Sequence, residues 1–285
     1  MNGQPSNSYL ICTTPRSGST LLCELLTKTG IAGRPDEYFQ QLRSTGMPMT
    51  PRDYLAGVAA DIIPPEDRIG ELEQHNLFDP HRFCDFAEYL NWVRQTATTS
   101  NGVMGAKIMW PYIAGLVDGL STIPGNDPAM SPHDLLQKAF PRLRYVWLRR
   151  MDKVRQAVSL WRAIQTWHWR TDAATASEQA RAHDTGPRLR YSFEAIDHLR
   201  RQLIASDRAW EIYFEGTGIQ PLTLTYEEFT QDLHDAVTRI LGHVGVRYPA
   251  GAQYGEPCTA RQADDTSERW VSEFRGDFAH VPAVS

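Results

Sequence analysis

Pro15-Arg16-Ser17-Gly18-Ser19-Thr20-Leu21-Leu22, two threonines after the apolar run Tyr9-Leu10-Ile11-Cys12, reads as a strand, a tight loop and the start of a helix. That geometry makes an anion site. The loop can aim successive backbone N–H groups and hydroxyls inward, Gly18 lets the backbone approach a ligand, and the positive end of the helix dipole faces the same spot. A phosphate is the expected guest. The GxxxxGK[ST] pattern of nucleotide kinases is not met: no glycine stands at its first position and no lysine follows Gly18, whereas Arg16 supplies a cation early. The competing reading is an ordinary N-capped helix, since a Ser-Gly-Ser-Thr cluster ahead of Leu21, Leu22, Leu25 and Leu26 starts a helix on capping grounds alone.

With 285 residues, 41% of them hydrophobic, the chain buries a full core as one α/β domain carrying helical or loop insertions at about 41–100 and 168–195. The net charge of −5 and pI near 6.0 give no global basic field, which argues against a nucleic-acid partner. Any polyanion site is therefore local. Cys12, Cys23, Cys84 and Cys258 are scattered and form no CxxC pair, which fits neither a disulfide framework nor a zinc site and suits a reducing cytoplasm. The histidines give no metal constellation either; His75, His81 and Cys84 come nearest, at a spacing that matches no standard ligand set. Residues 1–8 are polar, and no apolar run reaches about 18 residues, so neither a secretion signal nor a membrane span is expected.

Further strands are expected at 102–110, 143–149 and 221–225, and helices at 52–60, 86–96, 131–139, 152–168, 194–214 and 228–243, with a Gly/Pro-rich loop after Trp110 and a loop-rich tail past Gly251. Strands alternating with helices point to a three-layer, P-loop-like fold: a central parallel sheet with helices on both faces, and a ligand crevice at the carboxyl ends of the strands.

A second anion feature lies at another strand-to-helix junction, Arg149-Arg150-Met151-Asp152. Arg150 leaves the strand, and Ser159 follows about two helical turns on, so the two suit one phosphate. Arg149, facing as Trp147 does, fits a structural role better. Lys107 sits within the apolar run Ala106-Lys107-Ile108-Met109-Trp110, where a buried ammonium is tolerated only against an anion. Its alternatives are a place beside a transferred group and an edge-strand position in solvent. Trp161, Trp167 and Trp169, with Arg162, Gln165 and His168, form an aromatic and polar cluster of the kind that holds sugars or builds subunit contacts.

Two anion grips on one sheet suit a nucleotide phosphorylated at both 5′ and 3′ positions. Here the chain resembles the sulfotransferases that use 3′-phosphoadenosine-5′-phosphosulfate (PAPS), within the bacterial family typified by the mycobacterial trehalose 2-sulfotransferase. The resemblance spans nearly the whole chain. It rests on Arg16 to Leu22, on Gly33-x-Pro35-x-Glu37-Tyr38-Phe39, on Asn101-Gly102-Val103-x-Gly105-x-Lys107-x-Met109-Trp110, on Arg150-x-Asp152 with Gln156-Ala157-Val158-Ser159-x-Trp161-Arg162-Ala163, and on Arg261-Gln262-Ala263-Asp264 with Ser267 and Trp270. Pro15, Met151 and Arg34 depart from the family pattern, and Arg34 stands close to Glu37.

The resemblance implies that Arg16, Ser17, Gly18, Ser19 and Thr20 bind the 5′-phosphosulfate, that Arg150 and Ser159 bind the 3′-phosphate, and that Arg261 and Gln262 fold over the nucleotide. Glu37, partly desolvated beside the aromatic Tyr38 and Phe39, is implied to be the general base. Sulfuryl transfer needs such a base for the alcohol proton and a positive environment for the leaving phosphate, and needs no metal. With Arg16 and Lys107 near the transferred group, the expected acceptor is a hydroxyl of a small carbohydrate or a glycolipid precursor, with trehalose first. Tyr38, Trp161, Arg162 and Gln165 join Glu37 as acceptor-binding candidates, and the relative suggests a homodimer. A nucleotide-dependent kinase and a non-catalytic nucleotide or glycan binder are the alternatives.

Overall fold

In the computed structural model, residues 5–43, 45–64, 80–127, 129–167, 169, 189–247, 255 and 265–280 are described. In chain order the elements are β1 (Asn7–Thr13), α1 (Ser19–Lys28), α2 (Pro51–Tyr54), a 3-10 turn (Pro80–Arg82), α3 (Phe86–Ala97), β2 (Val103–Met109), α4 (Trp110–Ser121), α5 (Pro132–Ala139), β3 (Arg144–Arg149), α6 (Lys153–Thr166), α7 (Phe193–Thr217), β4 (Leu222–Thr225), α8 (Tyr226–Phe229), α9 (Leu233–Val244) and α10 (Asp265–Ala279). All four expected strands form, and they pair in parallel in the order β2-β1-β3-β4. The chain leaves β1 toward β2 and leaves β3 toward β4, in opposite directions. The topological switch therefore falls between β1 and β3, and a crevice opens at their carboxyl ends.

Two compact units are distinguished, residues 1–48, 72–151 and 206–257 in the first, and 49–71, 152–205 and 258–285 in the second. In the first, one sheet face offers Tyr9, Ile11, Val146, Leu148 and Leu224 to α1 (Leu22, Leu25, Leu26) and α9 (Val237, Ile240, Leu241). The other face is aromatic. Phe214 packs on Tyr145 and Trp147 at ring separations of 5.8 and 5.5 Å, and Trp110 stands edge-on to Trp210 at 5.0 Å. The second unit has its own core, in which Val158, Leu160, Trp161 and Ile164 of α6 meet Ile196 and Leu199 of α7 and Trp270, Val271 and Phe274 of α10.

Four expectations need correction. The helix expected over 52–60 stops after Tyr54: Thr50 and Asp53 form a capping box ahead of Pro51, and Gly57 turns the chain with φ +89°. The stretch after Trp110 is helical, with Tyr112, Leu116 and Leu120 buried at a four-residue spacing. The single helix expected over 228–243 is two, because the Asp232 side chain caps the Asp235 N–H and starts α9 afresh. The tail carries α10, held by the same apolar stripe that seats it in the second unit. Among the described residues, no helix is long and apolar enough to cross a membrane.

Candidate active site

β1 delivers the chain to the switch point, and the loop after it is wound for anion binding. Arg16 and Gly18 both take left-handed backbone, φ +61° and +85°, which aims neighbouring N–H groups to one side. The Thr13 hydroxyl donates to the Leu148 carbonyl at 2.9 Å. A carbonyl only accepts, so in the 2.6 Å contact of Thr13 with Ser17 it is Ser17 that donates. Its hydroxyl proton is therefore committed inside the loop, and Ser17 is fully buried.

The N-cap of α1 is Gly18, which offers no side chain, and no acidic residue lies in the helix's first turn. By contrast, side chains of Thr50, Asp85, Ser131, Asp152, Thr225 and Asp232 cap their helices. Ser19 and Thr20 thus begin a helix whose N-cap residue offers no side-chain acceptor to their N–H groups.

β3 ends beside this loop, as its pairing with β1 requires. Arg150 donates from Nη1 to the Arg16 carbonyl at 3.1 Å and lies over the Tyr226 ring, 4.5 Å from its centroid. Tyr226 in turn packs against Gly18, where a Cβ would stand 2.5 Å from its Cδ2. Sequence reasoning missed Tyr226, and the Thr225 N-cap at a strand end was the one local hint. Arg149 takes the structural role expected of it, 3.5 Å from the Asp207 carboxylate and stacked on Trp147 at 4.3 Å.

Glu37 arrives along the free edge of β2. At Gly33 (φ +73°) a Cβ would lie 2.4 Å from the backbone nitrogen of Gly105, so only glycine lets the 33–38 segment lie this close to the strand. Lys107 N–H donates to the Asp36 carbonyl at 3.0 Å, and Asp36 Oδ1 accepts the Glu37 N–H at 2.8 Å. The Glu37 carboxylate then contacts the Lys107 ammonium, whose side chain is 1% exposed. Burial pushes that ammonium down, but Glu37, with Cys23 and Asp36 near, outweighs it and holds the group above its ordinary value. The solvent-facing reading of Lys107 is thereby corrected: the residue is buried, and its partner is Glu37.

Two neighbours of Glu37 have partners of their own. Tyr38 is core, its hydroxyl donating to the Arg34 carbonyl at 2.7 Å and its ring edge-on to Trp92. The Arg34 guanidinium donates to the Thr98 and Thr96 carbonyls at 2.7 and 3.3 Å, at the carboxyl end of α3, and so serves that helix.

Ser159 and the aromatic cluster belong to the second unit. Ser159 lies half-buried on α6, whose N-terminus is capped by Asp152. Trp161 is 1% exposed, and its Nε1 donates to the Arg190 carbonyl at 2.8 Å. Gln165 binds the Arg190 backbone with both ends of its amide, at 2.8 and 3.1 Å, and Arg162 donates to the Ser267 hydroxyl on α10. These three hold the 189–190 segment and α10. Trp167 closes α6 in a left-handed conformation, and Trp169 stacks on Tyr54 at 5.6 Å. Arg261, Gln262, His168 and His75 lie outside the described residues.

Residues 8–277 match the family model described as Stf0 sulphotransferase. The trehalose 2-sulfotransferase of Mycobacterium tuberculosis is 34% identical over 275 residues, covering 94% of each chain. That of Mycolicibacterium smegmatis is 30% identical over 297 residues, covering 97% of each. A solved sulfotransferase structure from Alicyclobacillus acidocaldarius aligns over 97% of this chain and 94% of that one, at 15% identity and a TM-score of 0.42.

Proposed function

The chain belongs to the Stf0 sulphotransferase family, and from that premise we propose that it moves the sulfuryl group of PAPS in one in-line step to a carbohydrate hydroxyl, trehalose first among the acceptors. The S–O bond to the 5′-phosphate breaks as the bond to the acceptor oxygen forms. Adenosine 3′,5′-bisphosphate leaves, and the hydroxyl proton passes to Glu37. Charge grows on the bridging oxygen, where Arg16 and the N–H groups at the start of α1 are assigned to meet it. Arg150 is assigned to the nucleotide from its place beside the loop. Ser159, Arg261 and Gln262 join it on the resemblance alone. We read the chain as one sulfotransferase domain that works as a cytoplasmic homodimer.

The observation that carries this reading is the α1 N-terminus without a side-chain cap, behind a left-handed Arg16–Gly18 loop at the switch between β1 and β3. Both trehalose-sulfating relatives support the acceptor. Calorimetry is the first test: adenosine 3′,5′-bisphosphate is expected to bind without magnesium and to outcompete ATP with magnesium, and the reverse preference would restore the kinase. Transfer of labelled sulfate from PAPS to trehalose is the second. Glu37→Ala is expected to lower that rate by about two to four orders of magnitude while nucleotide binding persists. Nucleotide binding with no transfer to any of a panel of hydroxyl compounds would mark the protein as a binder.

A further inference from the structure

A buried lysine on the edge strand of a parallel sheet demands a physical reason. Lys107 is 2% exposed between Ala106 and Ile108, both buried. An ammonium there is tolerated only with a charged partner at contact. Its register partner is Ile11, so the alternation of side chains along β2 turns it to the face that α1 covers, where Cys23 lies. There the Glu37 carboxylate meets it, while the backbone N–H of the same lysine holds the Asp36 carbonyl. One residue thus grips two consecutive residues of the 33–38 segment, its backbone holding Asp36 and its ammonium the Glu37 carboxylate.

The surrounding charges agree. Asp36 comes from the 33–38 segment and Cys23 from α1. The Tyr9 and Tyr38 hydroxyls, both raised by burial, stay uncharged and donate to the Ala32 and Arg34 carbonyls. Arg34 has its guanidinium on α3. Lys107 is the cation in contact with Glu37, and its nearly sealed side chain presents no surface to a donor.

We propose that Lys107 is a positioning residue: it fixes the Glu37 carboxylate in place for the acceptor's proton, and it takes no part in gripping PAPS. The proposal rests on Glu37 being the base. Removing a positive charge at contact makes a carboxylate hold its proton more tightly, so Lys107→Met gives a signature that a donor contact would not.

The test combines three readouts on the full chain. Carbon-13 NMR of glutamate-labelled protein, with the Glu37 signal assigned through Glu37→Gln, follows that carboxyl through pH; Lys107→Met is expected to move its midpoint up by about one to three pH units. The acid limb of kcat/KM for PAPS and trehalose is expected to move with it, with rate partly recovered at high pH. Calorimetry is expected to find the affinity for adenosine 3′,5′-bisphosphate changed by no more than about twofold. A carboxyl midpoint that stays put, or nucleotide affinity weakened about tenfold or more, overturns the proposal. Should Lys107→Met fail to fold, Lys107→Gln carries the same expectations with a polar group in the cavity. Wild-type rates in Glu37→Gln would instead strike down the base itself, a separate failure that leaves the NMR result readable.

Discussion

Gly18 shows at a single residue how the loop was legible and where legibility stopped. That a glycine stands there for backbone approach is plain from the sequence, and the positive φ agrees. What fills the space beside it, Tyr226, comes from beyond β4 and reaches the loop only through the pairing of β3 with β1 and β4. A strand order is a property of the whole sheet, and no local pattern carries it. Gly18→Ala therefore meets two obstacles, a left-handed backbone and a Cβ 2.5 Å from a ring that Arg150 backs on its face. Strain of about 1–3 kcal/mol is expected, with adenosine 3′,5′-bisphosphate affinity down by roughly tenfold or more as Tyr226 and Arg150 shift. Gly30→Ala is the control: its φ is +69° but its Cβ would meet nothing within 4 Å, so it should lose stability and keep nucleotide affinity. Equal losses of affinity in both would refute the argument. Lys107 was half legible for a related reason: burial demanded an anion, but only the folding of the 33–38 segment onto β2 decided which one.

At the scale of elements, glycine and proline misled in one place. Pro111, Gly115 and Gly119 read as loop punctuation, yet they lie in α4. Pro111 fits the first turn, where its missing N–H has no partner to lose. The glycines are there for contact. A Cβ at Gly115 would fall 1.7 Å from the Leu42 carbonyl oxygen, and one at Gly119 would fall 2.3 Å from the Phe86 ring. Helix propensity alone would make Gly115→Ala stabilising by about 1 kcal/mol. Contact reverses the sign, because the obstacle is backbone and can move only with the 39–43 segment, so a net loss of about 1–3 kcal/mol is expected in chemical denaturation. A Gly115→Ala protein more stable than the parent would rule this packing out. The strands, by contrast, were all readable: β1, β2 and β3 are apolar runs buried nearly throughout, as helices on both faces require, and β4 alternates leucine with threonine, with Leu224 buried and Thr223 exposed.

Across the whole molecule, each unit carries its own core, and each holds a half-buried helical histidine whose proton affinity is lowered. His243, on α9, bonds through Nε2 to the Tyr145 carbonyl at 3.1 Å, which makes that nitrogen the donor. Burial first, and then Arg144, lower its proton affinity despite that bond. His198, on α7, lies near Gln202, and burial followed by Arg201 lowers it likewise. The sequence offered nine histidines without distinguishing these two, because their burial comes from partners on other elements. Both groups hold protons less tightly in the folded chain than their ordinary value of 6.5. Above that value neither state is protonated, and the contribution to stability is complete. As pH falls below it the unfolded chain takes up protons first, so stability declines through the lowered folded values. The thermal midpoint is therefore expected to be level between about pH 8 and 7 and to drop between about pH 6.5 and 5.5, before most carboxylates titrate. His243→Gln and His198→Gln should each flatten part of that drop, and together most of it. A wild-type midpoint that holds constant down to about pH 5.5, or a double variant that falls as steeply as the parent, would show that neither imidazole resists protonation in the folded chain.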